Sequence, residues 1–272
     1  MITKLLVRKA EAPIREQKPK KHSAPVDVDH VVMSHIHIHE DHIPGLSRLP
    51  GVPVHCHEED AIGLESLDGF MQIFGMPPEI EKDFRQEVLD QFHYAPRDDV
   101  RTFTDGASFD LGGVTIEVVH TPGHTRGHCV LVVPEARAAY LGDIELTGFG
   151  PYYGDAWSSL DDFEASIRRC RELDADHFIT FHHKWVIDGM DELAPMLDAF
   201  QGVIDQREDR MLEFMSEPRT IQDCVDHRFV YRPHVEVTFV TPVETRCAQL
   251  HIDRMLTDGR VVEVEDGRYR TV

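Results

Sequence analysis

The run of histidines and acids from His35 to His42 constrains this sequence more than any other feature. It reads His-Ile-His-Ile-His-Glu-Asp-His and follows a Val-Val pair that predicts the end of a buried strand. Successive side chains of an extended chain point to opposite faces, so His37, His39 and Asp41 are expected on one side. His42 is expected to turn in from the following loop. Imidazole and carboxylate groups are ligands of zinc, iron and nickel, so the run predicts a metal site. A solvated run of the affinity-tag kind fits less well, because these residues lie mid-chain among apolar neighbours.

Three later segments also carry ligand-type residues where predicted strands end. Residues 120–128 read His-Thr-Pro-Gly-His-Thr-Arg-Gly-His and precede an apolar strand. A strand over 138–141 leads into Gly142 and Asp143, and a strand over 177–181 leads into His182 and His183. Catalytic ligands commonly lie in such loops, carried by a rigid scaffold. The four segments are therefore expected to converge.

These motifs, in this order, resemble those of the metallo-β-lactamase superfamily of hydrolases. The matching elements cover roughly residues 26–190 and are His37-x-His39-x-Asp41-His42, Thr121-Pro122-Gly123-His124-Thr125, Leu141-Gly142-Asp143 and a later histidine after a strand. The resemblance implies an α/β fold, an αββα four-layer sandwich of two mixed sheets flanked by helices. Few residues precede the first histidine motif. A trimmed first sheet, a sheet completed by a partner chain, and a start further upstream all stay open.

The resemblance also implies which residues hold metal. One ion would be bound by His37, His39 and His124, a second by Asp41, His42 and His182, with the Asp143 carboxylate bridging the two. His35 follows a serine directly, as the first ligand of the family usually does. However, a His35/His37 pair has the wrong spacing to Asp41, so His37 and His39 are preferred. His182 is preferred to His183 because it directly follows the strand. His128 is expected to orient its neighbours.

The implied chemistry is hydrolysis by a hydroxide bound to two divalent metal ions, with zinc favoured over iron or manganese. The bond cleaved would be an ester, thioester, lactone or related acyl bond of a small molecule. Asp41 would be the catalytic residue that orients the hydroxide or carries its proton to the leaving group. Three alternatives remain: a metal-dependent ribonuclease or phosphodiesterase, a mononuclear iron dioxygenase, and a non-catalytic metal-binding protein of the same fold.

The amino-acid composition limits the classes of partner that are expected for this chain. The 28 Lys and Arg against 49 Asp and Glu give a formal net charge of −21, which disfavours nucleic acid and anionic lipid as partners. No run of 18 apolar residues occurs, so no membrane association is expected. The five cysteines are scattered and odd in number, which predicts reduced thiols in a cytoplasmic protein. A small-molecule substrate remains compatible with this charge.

The pattern predicts three parts: a basic arm over 1–25, a catalytic domain over 26–215 and a winged-helix-like module over 216–272. Without a strongly basic recognition helix, the module is expected to serve packing or dimerisation, so a homodimer stays open. Phe149, Tyr152 and Tyr153 follow the Gly-Asp motif closely. They are candidates for a substrate-pocket wall, and packing of a Gly/Pro turn is an equally good interpretation.

Overall fold

The computed structural model describes residues 4–7, 28–38, 43–181 and 184–272, with residues 4–7, 43 and 44 described as backbone only. His39, Asp41, His42, His182 and His183 therefore lie outside the described residues, as does most of the predicted basic arm. The described residues form a four-stranded sheet, a six-stranded sheet, a two-stranded hairpin and eight helices.

The first sheet has four strands in the order β1-β2-β3-β4. They are β1 (Lys4–Val7), β2 (His30–Met33), β3 (Val54–His57) and β4 (Val100–Phe103). β1 pairs antiparallel with β2, and β2, β3 and β4 are parallel to one another. The short apolar run in the predicted arm is thus the edge strand of this sheet.

The second sheet has six strands in the order β10-β9-β8-β7-β6-β5. They are β5 (Ser108–Asp110), β6 (Thr115–His120), β7 (Cys129–Val133), β8 (Ala138–Tyr140), β9 (His177–Ile179) and β10 (Val186–Asp188). Only β8 and β9 pair in parallel. That pairing brings the loops after β8 and β9 to the same end of the sheet.

Eight helices lie among the described residues. They are α1 (Ile43–Leu46), α2 (Ile62–Glu65), α3 (Leu67–Phe74), α4 (Pro78–Asp90), α5 (Leu160–Cys170), α6 (Met190–Phe214), α7 (Ile221–His227) and α8 (Val240–Thr257). Their ends follow sequence signals: Ser159 caps α5, and Thr220 forms a capping box with Asp223 at the start of α7. No helix among the described residues combines the length and apolarity needed to cross a membrane.

Three clusters of apolar side chains pack the sheets and helices against one another. Between the sheets, Val32 of the first packs with Ile116 and Leu131 of the second. The outer face of the first sheet packs on α2, α3 and α4, and that of the second packs on α5 and α6. The predicted fold, two mixed sheets flanked by helices, is confirmed. Both sheets are open.

The last part of the chain has the predicted order of helix, helix and hairpin. Its hairpin joins β11 (Val261–Glu265) to β12 (Arg268–Thr271). A separate cluster of apolar side chains packs the end of α6 against α7, α8 and β11. Since α6 also packs on the second sheet, this part is joined to the sandwich by a continuous helix.

Candidate metal centre

Two imidazoles and one carboxylate meet at the ends of three strands. His35 follows β2, His124 lies between β6 and β7, and Asp143 follows β8. The Nε2 atoms of His35 and His124 lie 3.5 and 3.3 Å from Oδ2 of Asp143. One ligand atom from each residue lies within 4.8 Å of the others, and all three side chains are buried. This donor set fits a divalent cation, because imidazole nitrogen and carboxylate oxygen are zinc ligands at such spacing.

His37 stands beside this cluster. Its ring centroid lies 4.9 Å from that of His124 and 6.2 Å from that of His35. His35 and His37 are two residues apart in an extended segment, so their side chains leave the chain on the same side. Nε2 of His37 lies 3.5 Å from Oδ2 of the buried Asp155. Three histidines and two carboxylates therefore converge at this end of the sheets.

Hydrogen bonds fix the orientation of two of the imidazoles. Nδ1 of His124 lies 3.1 Å from the carbonyl oxygen of Tyr152, which accepts the Nδ1 proton. This leaves Nε2 of His124 as the acceptor that faces Asp143. Nδ1 of His35 lies 3.0 Å from Oγ of Ser34, and its Nε2 likewise faces Asp143. Nε2 is thus the atom that each ring presents to a cation.

Asp60 joins the two histidine-bearing loops. Its carboxylate accepts hydrogen bonds from the backbone N–H of Ile36 at 3.1 Å, from Oγ1 of Thr125 at 2.7 Å and from the backbone N–H of Gly127 at 2.8 Å. Burial raises the pKa of Asp60, and these three donors act in the opposite direction. One buried side chain thus sets the distance between the loops of His35 and His124.

His128 fixes the backbone of Asp143 through a hydrogen bond. Its Nε2 accepts the backbone N–H of Asp143 at 3.0 Å, so Nδ1 carries the proton and donates it to the carbonyl oxygen of Thr121 at 2.9 Å. Burial, reinforced by His124, lowers the pKa of His128 to about 3, which keeps the ring neutral. Gly142 permits this approach: its φ is +57°, and a Cβ there would lie 2.4 Å from Nε2 of His128.

A cavity of about 310 Å³ opens beside the cluster. His37, His124 and Asp143 line one side of it, next to Glu145. Burial, with the nearby Asp143 carboxylate, raises the pKa of Glu145 to about 8. Aromatic side chains form most of the remaining wall: Phe74, Phe84, Phe92, Phe149, Tyr152, Tyr231 and Phe239.

The structure brings together three of the predicted ligands, His37, His124 and Asp143. The other four, His39, Asp41, His42 and His182, lie outside the described residues, so their places in the site stay predictions. His35 is a further member of the cluster, although the motif spacing favoured His37 and His39. The signal that pointed to it was the serine directly before it, and this was outweighed by the spacing to Asp41.

The three candidate pocket residues have different surroundings. Phe149 and Tyr152 line the cavity. Tyr153 is fully buried, and its hydroxyl lies 2.9 Å from Nε2 of His251 and 2.8 Å from a guanidinium nitrogen of Arg207. Its contacts are therefore with the helices behind the loop. Asp60 and Arg207 were not singled out from the sequence.

The sequence model of the family described as Metallo-beta-lactamase superfamily matches residues 8–182 of this chain. The chain belongs to this superfamily. An uncharacterized protein of Mycobacterium leprae (strain TN) is 34% identical over 117 residues, which cover 42% of this chain and 49% of that protein. The atrochrysone carboxyl ACP thioesterase of Aspergillus fumigatus is 27% identical over 129 residues, which cover 47% of this chain and 29% of that protein. The chain therefore spans about half or less of these curated relatives.

Among solved structures, the metallo-beta-lactamase family protein TTHA1429 from Thermus thermophilus superimposes with a TM-score of 0.67. The two chains are 20% identical, and the match covers 90% of this chain and 80% of the other. At this identity the likeness shows the fold alone. The expectation of an enzyme of this fold is supported further by relatives that carry thioesterase and metallo-hydrolase names.

Proposed function

We propose that this chain is a hydrolase that uses two divalent metal ions, zinc by preference, to cleave an ester, thioester or lactone bond of a small molecule. The observation that carries the proposal is the cluster of His35, His124 and Asp143 at the side of an aromatic cavity. A buried cluster of this kind next to a ligand-sized cavity is what a metal-assisted hydrolase requires. The thioesterase name of one relative agrees with an acyl substrate.

Each residue has a defined part in this proposal. His35, His37, His124 and Asp143 would hold metal, and the family resemblance adds His39, Asp41, His42 and His182. When bound, such ions lower the pKa of water to about 7 and polarise a carbonyl group. The Tyr152 carbonyl keeps the His124 ring turned toward Asp143. The aromatic wall would hold the acyl group and exclude bulk water, and Asp41 would orient the attacking water or carry its proton to the leaving group.

Metal content and activity, measured together on the full chain, test this proposal. We expect two zinc equivalents in the wild type by elemental analysis. Asp143→Ala should lose at least one equivalent and at least about 100-fold in kcat/KM on acyl esters and thioesters, because the ligand itself is removed. His35→Ala should also lose metal. His177→Ala, an exposed histidine bonded to Asp188, is the control and should change neither quantity.

Three results would contradict the proposal. Full metal content and activity in Asp143→Ala would remove this carboxylate from the site. A single iron equivalent with oxygen consumption on sulfur compounds would support the dioxygenase alternative. Bound metal with no hydrolysis of any ester, thioester or lactone would support the non-catalytic metal-binding alternative.

A further inference from the structure

Polar and apolar side chains are distributed unevenly around the cavity beside the metal centre. Its imidazole and carboxylate lining groups, from His37, His124, Asp143 and Glu145, lie together at the metal-centre side. The rest of the wall is largely apolar and comes from four separate regions of the chain: Ile38 after β2, α3 and α4 with the residues after them, the loop after β8, and the segment between α7 and α8. Phe74 connects the two sides, because its ring centroid lies 5.6 Å from that of His37.

The described lining residues include no lysine or arginine. The guanidinium of Arg207, behind the loop after β8, is occupied by the carbonyl oxygens of Phe149 and Pro151 and by the Tyr153 hydroxyl. The whole chain carries a formal net charge of −21. An anionic group at the far end of a substrate would therefore lose its hydration without gaining a cationic partner, which is strongly unfavourable.

The size of the cavity sets a second limit. About 310 Å³ lies at the lower end of the range of roughly 300–1,000 Å³ found for small-molecule sites. It suits one compact acyl group rather than a large polar carrier. The carrier or alcohol portion would remain at the open side, where Phe149 is 38% exposed.

We propose that the acyl group of the substrate is uncharged and apolar, a medium-length alkyl chain or an aromatic ring, seated between Phe84, Phe92 and Tyr231. This inference rests on the proposed function, since it takes the reacting carbonyl to lie at the histidine cluster. It adds to that function the selection of neutral acyl groups over anionic ones. The wall residues, rather than the metal ligands, make this selection.

A matched substrate series tests the proposal. The 4-nitrophenyl esters of acetate, butanoate and hexanoate lengthen the chain, and mono-4-nitrophenyl adipate places a carboxylate at the end of a six-carbon acyl group. We expect kcat/KM to rise about three- to four-fold per added methylene. The adipate ester should react at least about 100-fold more slowly than the hexanoate ester. A flat series, or equal rates for the adipate and hexanoate esters, would overturn the proposal.

A pair of variants tests whether the wall makes the selection. Phe92 is half-buried at the cavity, and Leu89, three residues earlier, is 40% exposed and outside the lining. Phe92→Lys should lower kcat/KM for the hexanoate ester and raise it for the adipate ester, each by about ten-fold. Leu89→Lys adds the same charge nearby and should change neither by more than about two-fold. Equal effects of the two variants would contradict the assignment.

Binding without turnover separates the two proposals. Calorimetry with 2-octanone and 2-butanone on the wild type should show tighter binding of the longer ketone by about 100-fold. That result with no hydrolysis of any ester or thioester would contradict the proposed function and support the apolar site. Ester hydrolysis with equal, weak binding of both ketones would support the proposed function and overturn the apolar site.

Discussion

At the scale of single residues, Asp60 connects the two loops on which the metal centre depends. It has no exposed surface, and each of its oxygens accepts at least one hydrogen bond from those loops. The sequence did not distinguish it, because the Glu-Glu-Asp run at 58–60 resembles an ordinary acidic helix start. Burial of one carboxylate out of three is a tertiary property that the local pattern does not encode.

Asp60→Asn should destabilise the protein by about 1–3 kcal/mol. The amide replaces an accepting oxygen with an NH₂ group that must face one of the donors on Ile36, Thr125 or Gly127. Urea unfolding of metal-free protein measures the effect apart from metal binding. Asp98→Asn, at a more exposed position, is the control. Equal unfolding free energies for the two variants would show that Asp60 does not hold the loops.

The histidines show what residue types can and cannot predict. Ligand chemistry and position at strand ends, together with the family resemblance, brought His37, His124 and Asp143 into one expected site. The choice among His35, His37 and His39 depends on how the chain turns after β2, and alternation along an extended segment places the first two on the same side. His35 was excluded by counting residues back from Asp41 with the spacing usual in the family. That count takes no account of how the chain turns.

At the scale of elements, α6 supports the loop that carries the Tyr152 carbonyl. Arg207 on this helix is buried and donates to the carbonyl oxygens of Phe149 and Pro151 and to the Tyr153 hydroxyl. The Tyr152 carbonyl in turn holds the His124 ring. A guanidinium suits this role, because its donors are arranged in a fixed plane and reach three acceptors at once.

Arg207→Lys should therefore weaken metal binding although the helix is distant in sequence from the ligands. We expect a loss of about ten-fold in metal affinity, the lower end of the effect of groups that orient ligands. Competition with a chromophoric chelator gives the affinity. Arg210→Lys on the same helix, whose guanidinium lies 3.3 Å from the Arg228 carbonyl, should leave it unchanged. An unaltered affinity in Arg207→Lys would separate α6 from the metal centre.

Most elements were predictable from periodicity, and the exceptions have physical reasons. The α6 helix follows from apolar residues at 193, 197, 200, 204 and 211, and β7 follows from a continuous apolar run. β10 has only three residues, and its exposed Val186 is as apolar as its buried Ile187, so no alternation of apolar and polar residues marks it. β1 lies in a basic, proline-bearing segment, and only its pairing with β2 makes it a strand.

At the scale of the whole molecule, a buried polar network joins the last part of the chain to the sandwich. Arg207 donates to the Tyr153 hydroxyl, which donates to Nε2 of His251 on α8. Nδ1 of His251 donates to Glu208 at 3.1 Å, and Arg260 donates to the same carboxylate at 2.7 Å. Residues 207 and 208 share the buried face of α6 with Ile204 and Met211, and the sequence pattern gave no sign of buried charges there.

Because of this network, we expect the free energy of unfolding to vary with pH in the acid range. Burial alone would raise the pKa of Glu208, but hydrogen bonds from His251 and Arg260 and the nearby charges lower it to about 2, from an ordinary value of 4.5. Because the folded pKa is depressed, the stabilisation is present above about pH 4.5 and is lost as the pH falls toward 2. Glu208→Gln should therefore be less stable than wild type by about 2–3 kcal/mol at pH 6, and the difference should shrink at pH 3.

Urea unfolding in the presence of a chelator, at both pH values, measures this difference without metal linkage. Glu213→Gln, at a less buried position on the same helix, should match the wild type at each pH. A difference between wild type and Glu208→Gln that is the same at pH 6 and pH 3 would show that the Glu208 charge does not contribute to folding.

The side chains that line the cavity come from two kinds of element, and this has a practical consequence. Its histidines and Asp143 come from loops that follow strands, whereas Phe84, Phe92 and Phe239 come from helices and their ends. A mutant library confined to those three positions would explore new acyl preferences while every metal-binding side chain kept its identity. Selectivity and reactivity in this chain are therefore open to separate redesign.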